Sequence, residues 1–195
     1  MSAAFDDSNL VSAAGLVPAI ALAVKTCLGE LADHWLTLPG YFGANAGLKV
    51  AGMVAGAASI DDMALLRHGG MKKLFAGGYA PSTLGSFLRA FTFGHVRQLD
   101  ALAARWLVNV ASVAPIAAGI DDYALVDIDD TIKEVHGYRK QGSGYGYSGV
   151  RGLNALIGIL STATAAPVII GARLRKGSSG SRAGRGNSSV TSLPP

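Results

Sequence analysis

The chain has 195 residues and a hydrophobic fraction of 50%, which is enough to bury a core and excludes a wholly disordered protein. A single cysteine, Cys27, excludes an internal disulfide and favours a reducing, cytoplasmic location. Export is not expected, because the basic segment and apolar run of a secretion signal are missing from the N-terminal sequence MSAAFDDSNL.

Charge is distributed unevenly along the chain, whose formal net charge is +4. Residues 1–70 and residues 71–135 each contain more acidic than basic residues, whereas residues 136–195 contain eight basic residues and no acidic one. Such a stretch attracts polyanions such as nucleic acid. A solvated basic tail has the same composition, so charge alone leaves both interpretations open.

The first 120 residues are predicted to be mostly helical. Pro18 lies near the start of an apolar run that continues to Trp35, and it fits the first turn of a helix, where its missing N–H is not needed. Ser59 is the predicted N-cap of a short helix that ends at Arg67, before two glycines.

Two further helices are predicted on either side of Phe93 and Gly94. Apolar residues recur at helical spacing in residues 84–91 and again in residues 99–110. Two helices joined by a short glycine turn occur in helix-turn-helix DNA-binding domains and also in hairpins that only pack together. The pattern does not separate these alternatives.

The pattern changes from helical to extended after Tyr123. Strands are predicted at residues 124–129, 153–161 and 168–174, and their short connections favour an antiparallel meander that opens a mixed sheet. The glycine-rich residues 142–149 are predicted to form a flexible loop between the first two strands.

Residues 152–172 are uncharged and long enough for a membrane helix. Polar residues and Pro167 interrupt this segment, so two strands joined by a turn are favoured and no membrane contact is expected. From residue 178 onward the sequence has few large apolar residues, and residues 178–195 are predicted to be a disordered tail.

The sequence Asp-Ile-Asp-Asp-Thr at residues 127–131 carries the clearest chemical signal. Alternation along a strand places Asp127 and Asp129 on one face and Asp130 on the other. Two neighbouring carboxylates repel each other, and a divalent cation relieves that repulsion. The alternatives are a hard-metal site and an acidic turn that lies in solvent. An EF-hand loop is excluded, because Ile132 stands where that loop requires glycine.

The same five residues resemble the D-x-D-x-T signature of haloacid dehalogenase-like phosphatases. That resemblance implies that Asp127 attacks phosphorus and that Asp129 acts as acid and base. Such enzymes also use later acidic residues to hold Mg²⁺, and no acidic residue follows Glu134. The phosphatase is therefore an alternative rather than the first hypothesis.

A broader resemblance covers roughly residues 5–180. Residues 129–131, the pair His136-Gly137, the following glycine- and tyrosine-rich segment, and residues 166–177 resemble the start of the catalytic domain of DDE-type bacterial insertion-sequence transposases. Upstream, residues 59–70 and 80–94 are also similar to that family.

This resemblance implies an α+β protein with a helical N-terminal region, residues 1–120, and the start of an RNase H-like mixed sheet, residues 121–177. Asp129 is implied as the first catalytic and metal-binding carboxylate, with Asp127 second. In the complete enzyme, Mg²⁺ ions held by such carboxylates activate water or a DNA 3′-hydroxyl for attack on a phosphodiester. Arg173, Arg175 and Lys176 are expected to neutralise phosphates of double-stranded DNA.

The chain departs from the family where its two later catalytic carboxylates are expected. It contains neither the second aspartate nor the final glutamate, and it therefore resembles a truncated or frameshifted transposase with an incomplete sheet. The expectation is a fragment that is inactive alone. Its possible partners are DNA, a second copy of itself, or a full-length transposase, and a non-catalytic DNA-binding fragment is a further alternative.

Overall fold

The computed structural model describes residues 9, 11–38, 54–57, 59–74, 80–137 and 140–180. These residues divide into an N-terminal unit that ends at Gln98 and a C-terminal unit that begins at Leu99. The helices are α1 (Leu16–Lys25), α2 (Leu28–Trp35), a 3-10 helix (Asp61–Arg67), α3 (Met71–Leu74), α4 (Pro81–Arg89) and α5 (Phe93–Val113). The strands are β1 (Ala124–Glu134), β2 (Gly144–Tyr145), β3 (Arg151–Thr162) and β4 (Val168–Lys176). Helices followed by an antiparallel sheet confirm the predicted α+β class.

The apolar run through Trp35 forms two helices rather than one. Cys27 adopts a left-handed backbone conformation with φ of 57°, which ends the helical path between α1 and α2. Next to it, the hydroxyl of Thr26 donates a hydrogen bond of 2.7 Å to the carbonyl oxygen of Leu22 and is buried. Apolar spacing predicted the helical content here, but it contains no signal for this break.

Ile60 and not the predicted Ser59 occupies the N-cap position of the short helix, but Ser59 still pairs with the first turn. The backbone N–H and the hydroxyl of Ser59 both donate to a carboxylate oxygen of Asp62, and the N–H of Asp62 lies 3.3 Å from the hydroxyl of Ser59. This reciprocal pairing satisfies N–H groups that a helix start leaves without partners. The segment is a 3-10 helix, and a left-handed glycine, Gly69, follows it.

A small core holds the N-terminal unit together. Its buried members come from α1, the 3-10 helix, α3 and α4: Leu16, Met63, Leu66, Met71 and Leu84. Burial of each side chain of this size stabilises the folded state by about 1.5–3 kcal/mol. The core therefore joins helices that are short individually.

The two helices predicted around Phe93 are present as α4 and α5. Leu84 and Phe87 of α4 are 5% exposed, as its apolar spacing predicts, although Leu88 is 44% exposed. At the start of α5 the N–H of Thr92 donates to Nδ1 of His95. Whether this pair of helices recognises DNA stays a prediction.

The C-terminal unit contains an antiparallel sheet in which β3 is the central strand. β1 pairs with β3 from Ala124↔Thr162 to Glu134↔Gly152, and β4 pairs with the other side of β3 from Leu153↔Lys176 to Leu160↔Val168. The three predicted strands and their meander are confirmed. A bulge between Gly158 and Ile159 shifts the register of β4.

The segment that also fitted a membrane helix lies in β3, the following turn and the start of β4. No helix among the described residues is long and apolar enough to cross a membrane. Residues 181–195, which include most of the predicted tail, lie outside the described residues.

The two faces of this sheet carry different residues. The aspartate face is the side that bears Asp127 and Asp129, together with Thr131 and Lys133 of the same strand. The asparagine face is the opposite side, where Asn154 of β3 is fully buried. Candidate functional groups occur on both faces.

Candidate functional site

Asp127 and Asp129 lie within β1 and not at its end. The strand continues to Glu134, five residues beyond Asp129, whereas the sequence pattern predicts that it ends near the aspartates. Both carboxylates are exposed, and in the register they stand opposite Ile159 and Ile157 of β3. They therefore project from an apolar strand pair into solvent.

The spacing of these two aspartates sets what they can bind. Alternate residues of a strand are separated by about 6.6 Å, so the two carboxylates can share one hydrated cation. A carboxylate oxygen of Asp129 also accepts a hydrogen bond of 2.8 Å from the N–H of Asp130, which restrains that side chain. The donor set fits one Mg²⁺ ion that keeps most of its water ligands.

Two Mg²⁺ ions need more carboxylates than this face provides. Among the described residues, no group of three or more His, Cys, Asp or Glu side chains is placed to hold a metal ion. In the sequence, no acidic residue follows Glu134. The aspartate pair therefore fits part of a two-metal site and not a whole one.

The third aspartate of the motif belongs to a separate network on the asparagine face. One carboxylate oxygen of Asp130 lies 3.1 Å from the guanidinium of Arg175 and accepts a hydrogen bond of 2.7 Å from the side-chain amide of Asn154. The amide oxygen of Asn154 in turn accepts hydrogen bonds from two guanidinium nitrogens of Arg175, at 3.0 and 2.6 Å.

Burial explains the composition of this network. Asn154 is 0% exposed, and the side chains of Arg175 and Asp130 are 8% and 6% exposed. A charge removed from water requires a partner and hydrogen bonds, and each member supplies these to the others. The network is therefore a structural element that ties β1, β3 and β4 together.

The three cations predicted to meet DNA phosphates do not lie together. Arg173 and Arg175 stand opposite Leu156 and Asn154, which places both on the asparagine face. Lys176 stands opposite Leu153 on the aspartate face, and Leu153 pairs with Lys133 on its other side. Both lysines are exposed. The aspartate face thus presents two carboxylates and two ammonium groups.

Sequence reasoning did not single out Asn154 or Lys133. Asn154 has a detectable signal, because it is a polar residue inside an otherwise apolar strand, and such residues are usually hydrogen-bonded. Lys133 has a weaker one, since alternation from Asp129 through Thr131 places it on the same face.

A comparison of the chain with known protein families, curated proteins and solved structures found no match.

Proposed function

We propose that this chain is a DNA-binding protein of the DDE transposase type, whose aspartate face meets the phosphate backbone. The observation that carries the proposal is the presence of Asp127 and Asp129 on the same exposed face as Lys133 and Lys176. Carboxylates can hold a divalent cation beside a phosphate, and lysines can replace the counterions of DNA.

The position of the aspartates supports the proposal. The transposase resemblance implies a first strand that carries the first metal-binding aspartate at the opening of an RNase H-like sheet. β1 is the first strand of an antiparallel meander and carries both aspartates. The charge distribution supports DNA as the partner, because residues 136–195 contain eight basic residues and no acidic one.

When Mg²⁺ is bound in a complete site of this type, it activates a hydroxyl and neutralises charge at the phosphodiester. Here Asp129, with Asp127 second, would hold one ion, and the lysines would orient the backbone. Since no third carboxylate among the described residues joins this pair in a metal-binding group, we expect the chain to bind DNA and not to cleave it.

The test is fluorescence anisotropy of a labelled DNA duplex with the full chain, with and without MgCl₂, in parallel with a plasmid-nicking assay. We expect binding that weakens steeply between about 50 and 200 mM salt, and no nicking. The absence of duplex binding at low salt would refute the proposal.

Variants of the aspartates test which face meets the DNA. Asp127→Asn with Asp129→Asn removes negative charge from the aspartate face, so duplex binding without Mg²⁺ should tighten and its dependence on Mg²⁺ should fall. The matched control is Asp121→Asn with Asp122→Asn, a second exposed acidic pair just before the sheet. An equal effect of the control pair would mean that only net charge matters.

The phosphatase hypothesis makes a different prediction in the same preparation. It requires Mg²⁺-dependent hydrolysis of p-nitrophenyl phosphate that is lost in Asp127→Asn. That result, without duplex binding, would replace the DNA proposal.

A further inference from the structure

The glycine-rich segment between β1 and β3 alternates glycine and tyrosine for a packing reason. A Cβ atom added to Gly146 would overlap the carbonyl oxygen of Gly177, and one added to Gly177 would overlap the carbonyl oxygens of Gly144 and Gly152. The glycines of this segment therefore pack closely against the end of β4. Only glycine permits this close approach of two backbones.

Tyr145 alternates with these glycines and projects away from the contact, and Tyr147 follows in a turn. Tyr145 and Tyr147 are each 70% exposed, which is high for large aromatic side chains. Tyr145 pairs with Arg151 in the register of β2 with β3, so it lies on the same side of the sheet as Leu153, two residues along β3. That side is the aspartate face, where Lys133 and Lys176 flank Leu153.

Hydrogen bonds hold this segment in place, although its sequence predicts a flexible loop. The guanidinium of Arg151 donates to the carbonyl oxygen of Gly137 and, at 2.8 Å, to the hydroxyl of Ser143. The N–H of Gly177 donates to the carbonyl oxygen of Gly142 at 3.0 Å. These bonds hold the residues next to Tyr145, whose own backbone pairs with Arg151, and this order lowers the entropy lost when a ligand stacks on its ring.

Sites for single-stranded nucleic acid combine two components, exposed aromatic rings and nearby lysines. Each base has a π-face that can stack on a tyrosine, while ammonium groups follow the phosphates. In a duplex both faces of a base are covered by its neighbours, so stacking on the rings selects unpaired bases. No acidic residue occurs from position 135 to the end of the sequence, and the carboxylates of the aspartate face, Asp127 and Asp129, lie four or more residues along β1 from Lys133.

We propose that Tyr145 and Tyr147 form a stacking site for unpaired nucleobases of a DNA strand whose phosphates meet Lys133 and Lys176. This site rests on the proposed DNA-binding function and adds a preference for single-stranded or locally opened DNA. Its ligand is distinct from the cation that the aspartates would hold.

The test uses the full chain, a fluorescein-labelled oligothymidylate and an abasic oligonucleotide of equal length, which keeps the phosphates and lacks the bases. Tyr145→Ala and Tyr147→Ala should each weaken oligothymidylate binding at least about fivefold, because one stacked base contributes at least about that factor. Neither substitution should change binding of the abasic strand. Tyr123→Ala is the matched control, since Tyr123 is 54% exposed and lies outside the segment.

Conservative variants separate stacking from simple loss of apolar surface or of folding. Tyr145→Phe and Tyr147→Phe keep the ring and should retain oligothymidylate affinity, whereas the corresponding leucine variants should lose it. The site is refuted if the alanine variants bind oligothymidylate like the unmodified chain, or if leucine serves as well as phenylalanine. If instead the unmodified chain binds neither duplex nor abasic strand, the proposed function itself has failed.

Discussion

The guanidinium of Arg175 in β4 lies 3.1 Å from the carboxylate of Asp130 in β1, although these strands flank β3 on opposite sides. Asn154 of β3 lies between them and hydrogen-bonds to both. The pair therefore links the two outer strands through a buried side chain of the central one. The stability that this ion pair contributes depends on the register that the three strands adopt.

Removing one partner of this pair should destabilise the protein strongly. Arg175→Met leaves the carboxylate of Asp130 buried without its cation, and breaking a buried ion pair in this way costs about 3–5 kcal/mol. The free energy of unfolding, measured by urea denaturation followed by circular dichroism, should fall by about that amount. Replacing both residues, as in Asp130→Leu with Arg175→Met, should recover part of the loss, since no unpaired charge remains.

Arg173→Met is the control for this prediction. Arg173 lies on the same strand and face but stands opposite Leu156 instead of Asn154, so its substitution should cost much less than that of Arg175. Equal losses for the two variants would show that the ion pair has no special role.

A methyl group at Gly177 should also destabilise the sheet, through steric overlap. The added Cβ would meet the backbone of Gly144 and Gly152, and backbone atoms cannot move aside as a flexible side chain can. Overpacking of this kind costs about 1–3 kcal/mol. Gly171→Ala is the control in β4, because a Cβ there meets nothing within 4 Å. The midpoint of thermal unfolding should fall for Gly177→Ala and stay level or rise for Gly171→Ala.

The thiol of Cys27 should react slowly with alkylating reagents near neutral pH. The negative charge of Glu30 raises the pKa of Cys27, with smaller contributions from desolvation and a hydrogen bond to Glu30. Because the thiolate is the reactive form, a raised pKa lowers the reactive fraction at any given pH below it. As pH increases, the rise in the rate of iodoacetamide labelling should therefore occur at a higher pH for Cys27 than for a free cysteine.

Glu30→Gln removes the charge that raises this pKa. The pH profile of labelling should move to lower pH in this variant, and labelling near neutral pH should become faster. Asp33→Asn, a change in the same helix α2, is the control and should leave the profile in place. A profile that does not move in Glu30→Gln would contradict the assigned cause.

Local patterns in the sequence predict the strands and their faces well, because alternation fixes which side chains share a side. Alternation alone separates Asp130 from Asp127 and Asp129. The sequence does not determine the register of the strands, because the apolar residues of β3 allow several pairings with β1 and β4. Only the observed register places Asn154 between Asp130 and Arg175 and puts Arg175 on the face opposite Asp129.

Other features were missed because local residue type does not indicate them. The glycines of the tyrosine segment indicate flexibility when read locally, whereas the structure packs Gly146 against Gly177 at the end of β4. The left-handed residue Cys27 likewise interrupts a run whose apolar spacing is continuous. Gly146 shows that packing can order a glycine-rich segment, and Cys27 shows that continuous apolar spacing does not exclude a helix break.

The lysines of the aspartate face should contribute individually to the salt dependence of DNA binding. For duplex DNA, the slope of log affinity against log salt is about −0.9 per phosphate neutralised. If Lys133 and Lys176 each contact one phosphate, Lys133→Gln and Lys176→Gln should each reduce the steepness of that slope by about 0.9. Lys25→Gln, at the end of α1 in the N-terminal unit, is the control for loss of net charge. Equal slopes for all three variants would place the phosphates elsewhere, whereas reduced slopes for Lys133 and Lys176 alone would assign DNA to the face that carries Asp129.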